Sequence, residues 1–303
     1  MSKLAVSPHI HSGRSTAGIM LDVVIALLPA TVAGVVIFGL RALAVIGVCV
    51  ASCLIFEALF CLATKKPQTV KDLSAVVTGL LLALNLPVNI PLWQCAVGAL
   101  FAIIVVKCLF GGLGQNLVNP AIAARVFMLV AFGSMTAAAL PVGVDTVGGA
   151  TPLANTDKLP DLLTLATGYH GGAIGETCAI ALVIGGIYLL VRRVISWQTP
   201  VVFVATVFAC YLVATGFDVT AALYQVLAGG LMIGAIFMAT DYVTTPINTK
   251  GRVVFALGCG VITFIVRFFC AYPEGVSFSI LIMNILTPYI EKWTASEPLG
   301  GVK

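Results

Sequence analysis

Asp145-Thr146-Val147-Gly148-Gly149-Ala150-Thr151 brings an acid, a run of minimal side chains and a hydroxyl together within seven residues. Thr151 offers an oxygen that can accept a transferred group. Gly148, Gly149 and Ala150 are small enough for the active site of a second enzyme to close over extended backbone. Asp145 stands where a carboxylate can help a divalent metal or a base engage that hydroxyl. The chemistry is esterification of a threonine; the competing reading is a surface turn ended by Thr151-Pro152. A second polar set lies in Gly111–Ala121, where Asn116 and Asn119 present donor and acceptor amides beside three glycines. No Gly-Lys-Ser/Thr follows, which excludes a P-loop. Asn119-Pro120 also reads as the N-cap and first residue of a helix, and the two roles are compatible.

These residues need a scaffold, and composition says which kind. Hydrophobic residues make up 60% of the 303 and charged residues only 9%. Soluble domains carry about 25% charged residues, so the chain reads as an all-α polytopic membrane protein. Apolar runs predict about ten spans, near 19–38, 42–62, 73–86, 91–109, 120–140, 176–191, 200–215, 221–239, 253–271 and 277–290. Pro87 and Pro288 interrupt the third and the last, which makes both candidate half-spans. Residues 1–15 are polar and lack the apolar core of a cleavable signal. The net charge of +4 comes from cations scattered over short loops, which does not describe a nucleic-acid partner.

Orientation follows from those cations. With the N-terminus inside, Lys3, Arg14, Lys65, Lys66, Lys71, Lys107, Arg192, Arg193, Lys250, Arg252, Lys292 and Lys303 are all cytoplasmic. Only Arg41 and Lys158 fall outside, while Arg125 and Arg267 lie within spans. The chain then divides into a cytoplasmic segment 1–18, a first membrane repeat 19–140, an extracytoplasmic loop 141–175, a second repeat 176–290 and a cytoplasmic tail 291–303. The repeat reading rests on Leu82–Pro87 and Phe237–Tyr242, each followed at similar spacing by a span, a Gly/Pro turn and another apolar helix. Five spans per half require the second half to be inverted, which brings polar helix breaks together near the midplane. Asp22 and Glu57 are the acids within spans, and an intramembrane acid is an ion-path candidate. For Asp22 the alternative is an interfacial position, and for Glu57 a snorkelling contact with Lys65 or Lys66. The nine cysteines lie singly, without a C-x-x-C pair; Cys49 and Cys53 share a helix face and read as small packing residues.

Gly111–Ala121, Phe237–Asp241, Tyr272–Val276, Met283-Asn284 and the Thr151 loop together resemble one family, in order and over nearly the whole chain. It is the family of Rnf ion-translocating electron-transport complexes, in their D-type membrane component, related to the B-type component of the sodium-pumping NADH:quinone oxidoreductase. The short polar N-terminus favours the Rnf member. This resemblance implies FMN esterified to Thr151 by a flavin transferase that recognises Asp145, Gly149, Ala150 and Thr151. Gly148 departs from the Ser or Thr usual at that position. It also implies a second, non-covalent flavin, riboflavin, against Asn116, Asn119 and Asp241. The implied partners are the other Rnf subunits, the transferase, the bilayer, and Na+ or H+. The implied role is electron relay within an ion-translocating oxidoreductase of a bacterial or archaeal cytoplasmic membrane, with no complete reaction by this chain alone. The alternatives are a passive channel or small-solute transporter of inverted-repeat architecture, and a scaffold protein without cofactor. Neither needs a D-x-x-x-G-A-T loop.

Overall fold

A computed structural model describes residues 15–136, 141, 162–270 and 274–295. Asp145, Gly149, Ala150 and Thr151 therefore lie outside the described residues, as does Lys158. The described chain is helical: α1 Thr16–Phe38, α2 Leu40–Ala63, α3 Ser74–Leu84, α4 Leu92–Cys108, α5 Pro120–Ala131 and α6 Leu162–Thr167. After these come α7 Ala179–Val191, α8 Gln198–Ala214, α9 Val219–Leu227, α10 Leu231–Met238, α11 Thr249–Phe269 and α12 Gly275–Thr294. Three of them, α1, α2 and α11, are long and apolar enough to cross a membrane outright. Their outward faces keep large apolar residues such as Val36, Leu62 and Phe269 exposed, which suits contact with lipid.

The helix ends follow from local chemistry. Ser15 caps α1 by accepting from the Gly18 N–H at 3.1 Å. Asn119 caps α5, its Oδ1 accepting from Ala121 at 3.0 Å and Ile122 at 3.4 Å, with Pro120 at the first helical position. Asp218 does the same for α9 through Thr220 and Ala221. The last turns of α4 and α10 widen into π geometry, where Leu109 N bonds Ile104 O and Ala239 N bonds Gly234 O.

Two expectations about the spans need correction. The segment 277–290 is not a half-span: α12 runs 20 residues, straight through Pro288. Pro288 removes a single backbone donor, and helix-interior proline is tolerated where neighbouring helices restore the packing. The segment 221–239 is not one rod either, because α9 and α10 bend by 67° at residues 228–230. The third segment does stop short, with α3 ending at Leu84 ahead of Pro87.

The helices pair in the same order in both halves. In the first, α2 packs on α3 and α4, α1 on α3, α3 on α5, and α4 on α5. In the second, α8 packs on α9 and α11, α7 on α10, α10 on α12, and α11 on α12. The halves meet through α1 against α7 and α5 against α12. The core between them contains Leu27, Leu82, Leu84, Ile122, Met128 and Ala235, all essentially inaccessible. Non-helical breaks at 85–91, 110–119, 228–230 and 239–248 surround that core.

Candidate functional site

A cavity of about 280 Å³ opens between α1, α3, α5 and the 239–243 turn. Its apolar wall is Ile19, Met20, Val23, Leu81, Leu189 and Phe237. Its polar groups include Asn116, Asn119, Thr240 and Asp241, so the three residues picked out by sequence face one space although 122 positions separate Asn119 from Asp241. Asn116 Nδ2 donates to Val118 O at 3.1 Å. Asn119 is more committed: beyond its two capping bonds, Nδ2 donates to Met238 O at 3.4 Å. Asn284 fastens the same corner, accepting from Asn119 N at 3.2 Å and donating to Thr244 O at 3.1 Å. Asp241 accepts from Val243 N at 3.4 Å and Thr244 Oγ1 at 3.2 Å. Burial pushes its carboxyl above the ordinary carboxylate range, against those hydrogen bonds, which favour the ionised form.

Lys107 and Ser74 also line this cavity, which corrects two readings. Lys107 is no loop cation, since it is 2% exposed within the wide final turns of α4. Nor does Glu57 reach Lys65 or Lys66. Packing of α4 on α2 instead brings Lys107 Nζ within 2.9 Å of Glu57 Oε1, and Nζ also donates to Ser74 Oγ at 2.6 Å. Thr69 Oγ1 completes the arrangement by donating to Glu57 Oε1 at 2.7 Å. Lys66 lies over the Phe60 ring, 5.9 Å from its centre. Glu57 Oε2 has no hydrogen-bond partner among the described residues, an unusual state for a buried carboxylate oxygen. Asp22 is held at the end of α7, accepting from Tyr188 Oη at 2.9 Å and Arg192 Nη2 at 3.2 Å. That matches the interfacial reading for Asp22: the pair links α1 to α7 and its arginine is half exposed.

The largest polar feature was not singled out from sequence. Arg125, 3% exposed on α5, ion-pairs with Glu176 Oε1 at 2.5 Å and Glu274 Oε2 at 2.7 Å, and its Nη1 donates to Asn85 Oδ1. Glu176 arrives on a short extended segment whose Ile174 and Gly175 amides bond Leu86 and Leu84 carbonyls. Gly175 is required there, because a Cβ would lie 2.6 Å from Leu84 Cβ. Glu274 immediately precedes α12, and the α9–α10 break supplies room through Gly230, whose Cβ would lie 2.6 Å from Glu176 Oε1. Carbonyls freed by that break hold Arg267: Gln225 O at 2.6 Å and Ala228 O at 3.3 Å. Asn85 joins cluster and cavity, since its Nδ2 reaches Met238 Sδ at 3.6 Å while Asn119 holds the Met238 carbonyl. The signal available in the sequence was Arg125 and Arg267 themselves, cations in apolar runs where an unpaired charge is costly.

An all-helical membrane protein with a polar cavity and a buried charge cluster between two similarly paired halves is the class that this architecture defines. Within it, the chain belongs to the NQR2, RnfD, RnfE family, whose profile matches residues 3–300. It is 48% identical over 305 residues to the RnfD-type component of the Na(+)-translocating ferredoxin:NAD(+) oxidoreductase complex of Acetobacterium woodii, covering 98% of this chain and 95% of that relative. It is 40% identical over 316 residues to the corresponding component of the proton-translocating ferredoxin:NAD(+) oxidoreductase complex of Clostridium ljungdahlii, with 98% and 96% covered. The corresponding component of the ion-translocating oxidoreductase complex of Halorhodospira halophila is 37% identical over 345 residues, with 100% and 97% covered.

Proposed function

We propose that this chain is the flavin-carrying membrane component of an Rnf-type complex that couples ferredoxin- and NAD-linked electron transfer to translocation of Na+ or H+. The observation that carries the reading is near-full-length likeness to membrane components of such complexes, in a chain that also holds D-x-x-x-G-A-T at Asp145–Thr151. FMN is esterified to Thr151 by a separate transferase and serves as an electron carrier. The chain lies in a bacterial or archaeal cytoplasmic membrane as two inverted halves, a reading supported by their matching helix pairing. Glu57 belongs to the ion path, supported by its partnerless buried oxygen beside a cavity-lining lysine. The test is purification of the whole complex and ferredoxin:NAD turnover measured with and without Na+. Turnover that neither moves an ion nor carries flavin on this chain overturns the reading.

Topology supplies a separate prediction. The loop bearing Thr151 is extracytoplasmic and both termini are cytoplasmic, because the scattered cations outside the spans favour one side strongly. Removing Lys107 from the tally leaves eleven against two. A cysteine replacing Lys158 is expected to react with a membrane-impermeant maleimide in intact cells. Reaction only after permeabilisation reverses the orientation.

A second, non-covalent flavin occupies the cavity lined by Asn116, Asn119 and Asp241. The fit is chemical: an apolar slot with amide and carboxylate groups at one edge suits an isoalloxazine, whose rim needs donors and acceptors. The cation on the cavity wall, Lys107, is already paired with Glu57, which favours phosphate-free riboflavin over FMN. Asn116→Ala and Asp241→Ala are each expected to lower extractable riboflavin several-fold in purified complex, without loss of the chain from the membrane. Asn119→Ala costs in addition about 1 kcal/mol of helix capping. Stoichiometric riboflavin in both single variants leaves these positions as helix-end structure alone.

A further inference from the structure

Two cavities unconnected with the flavin chemistry meet at the base of α7 and α8. The first, about 330 Å³, is lined by Arg193, Ser196, Thr199, Thr245 and Arg252, and no carboxylate lines it among the described residues. Helices α8 and α11 both begin there, and neither receives a side-chain cap from Trp197 or Asn248. Their first-turn N–H groups therefore keep donors and positive dipole ends suited to an anion. Thr199 is 2% exposed, faces this cavity, and its hydroxyl bonds no described residue. Arg252 spends Nε on Pro246 O at 3.1 Å, which fixes its guanidinium at the rim. The nearest acid engaged here, Glu291, accepts from the Ile247 N–H at 3.0 Å on the far side of the turn.

The second cavity is a groove of about 530 Å³ whose surface is almost wholly apolar, formed by Ile187 and Leu190 of α7, Val201, Val204 and Phe208 of α8, and Val226 of α9. It shares Ile195 with the polar cavity, and its Pro200 adjoins Thr199. From Pro200 to Phe208 the groove follows α8 for roughly 12 Å at about 1.5 Å per residue. One leaflet of hydrocarbon is roughly 15 Å deep. Trp197 and Ile247 stand exposed at the mouth, at the level where aromatic residues mark a membrane interface.

We propose that this composite site binds an anionic phospholipid, with its phosphate between Arg193 and Arg252 and an acyl chain in the α7–α8–α9 groove. A headgroup of one sign above a chain-width apolar slot is the ligand shape that matches both cavities at once. Basic pockets between transmembrane helices recognise such headgroups. The proposed orientation enters only in naming the leaflet as cytoplasmic; binding itself does not depend on it, nor on any flavin.

The experiment is phospholipid extraction from the intact complex after exhaustive detergent washing and re-addition of phosphatidylglycerol or phosphatidylcholine. Wild type is expected to retain phosphatidylglycerol in preference. Arg193→Gln with Arg252→Gln is expected to lower its retention roughly thirtyfold and to abolish the preference. Ala205→Phe, which fills the groove without touching the arginines, is expected to lower retention of both lipids. Subunit stoichiometry of each variant shows that the complex is whole. Equal retention in wild type and the arginine variant overturns the proposal. So does displacement by excess inorganic phosphate, which assigns the site to a free anion, and so does a photo-crosslinker at Val204 that captures a neighbouring protein and no lipid. Electron transfer plays no part in these readouts, so they separate this proposal from the redox assignment.

Discussion

Thr151→Ala is expected to remove all flavin that survives denaturation of this chain. Wild-type protein run on a denaturing gel should fluoresce under ultraviolet light, and the tryptic peptide containing Thr151 should carry the mass of FMN. The alanine variant lacks the oxygen that forms the phosphoester, so the effect is complete rather than graded. Thr151→Ser keeps a hydroxyl and should retain part of the modification. Thr146→Ala, five residues earlier in the same loop, should leave it intact, which separates a defined acceptor from a loop that is modified wherever a hydroxyl lies. Membrane insertion should be unchanged, since one hydroxyl in a glycine-rich loop contributes little to folding. Fluorescence that persists in the alanine variant removes Thr151 as the acceptor and, with it, the reason for reading Asp145, Gly149 and Ala150 as a transferase motif.

What the sequence could reveal depended on how local the signal was. Helices α1, α2 and α11 were legible because about 20 apolar residues in a row have few other uses. The Asn119 cap was legible for the same reason, since Asn-Pro at the start of an apolar run is a local pattern. The α9–α10 break was not: Gly229 and Gly230 sit inside an otherwise continuous apolar stretch, and only packing against the Glu176 segment makes the bend necessary. Pro288 misled in the opposite direction, because a proline signals a stop only where tertiary packing does not restore the helix. The partner of Glu57 was invisible because nearby Lys65 and Lys66 compete with a lysine that lies 50 positions away. Asn116, Asn119 and Asp241 were found through family resemblance, and the shared cavity gives that selection a spatial basis. The attachment loop lies outside the described residues, so Thr151 stands on sequence alone.

Arg125→Met is expected to be the most damaging substitution in the described part of the chain, lowering stability by about 3–5 kcal/mol. The methionine approximates the volume of the arginine stem but leaves Glu176 and Glu274 facing each other without their cation. Arg267 cannot replace it, because its terminal nitrogens are engaged with the Gln225 and Ala228 carbonyls. Buried carboxylates in that state take up protons, so their folded-state pKa rises above the unfolded value. A raised carboxyl pKa destabilises the fold at neutral and high pH, and the penalty shrinks as pH falls towards the ordinary carboxylate range. The deficit of Arg125→Met should therefore narrow on acidification, whereas a mere cavity would cost the same at every pH. Arg125→Lys should fall between the two, since an ammonium cannot present a fork to two carboxylates at once. Replacing the charges together, as Arg125→Met with Glu176→Gln and Glu274→Gln, should restore most of the stability, because the loss comes from uncompensated burial. The measurement is the heating midpoint of purified complex at several pH values, followed by size-exclusion recovery. An Arg125→Met midpoint equal to wild type at neutral pH means the cluster does not hold α5, α12 and the Glu176 segment together.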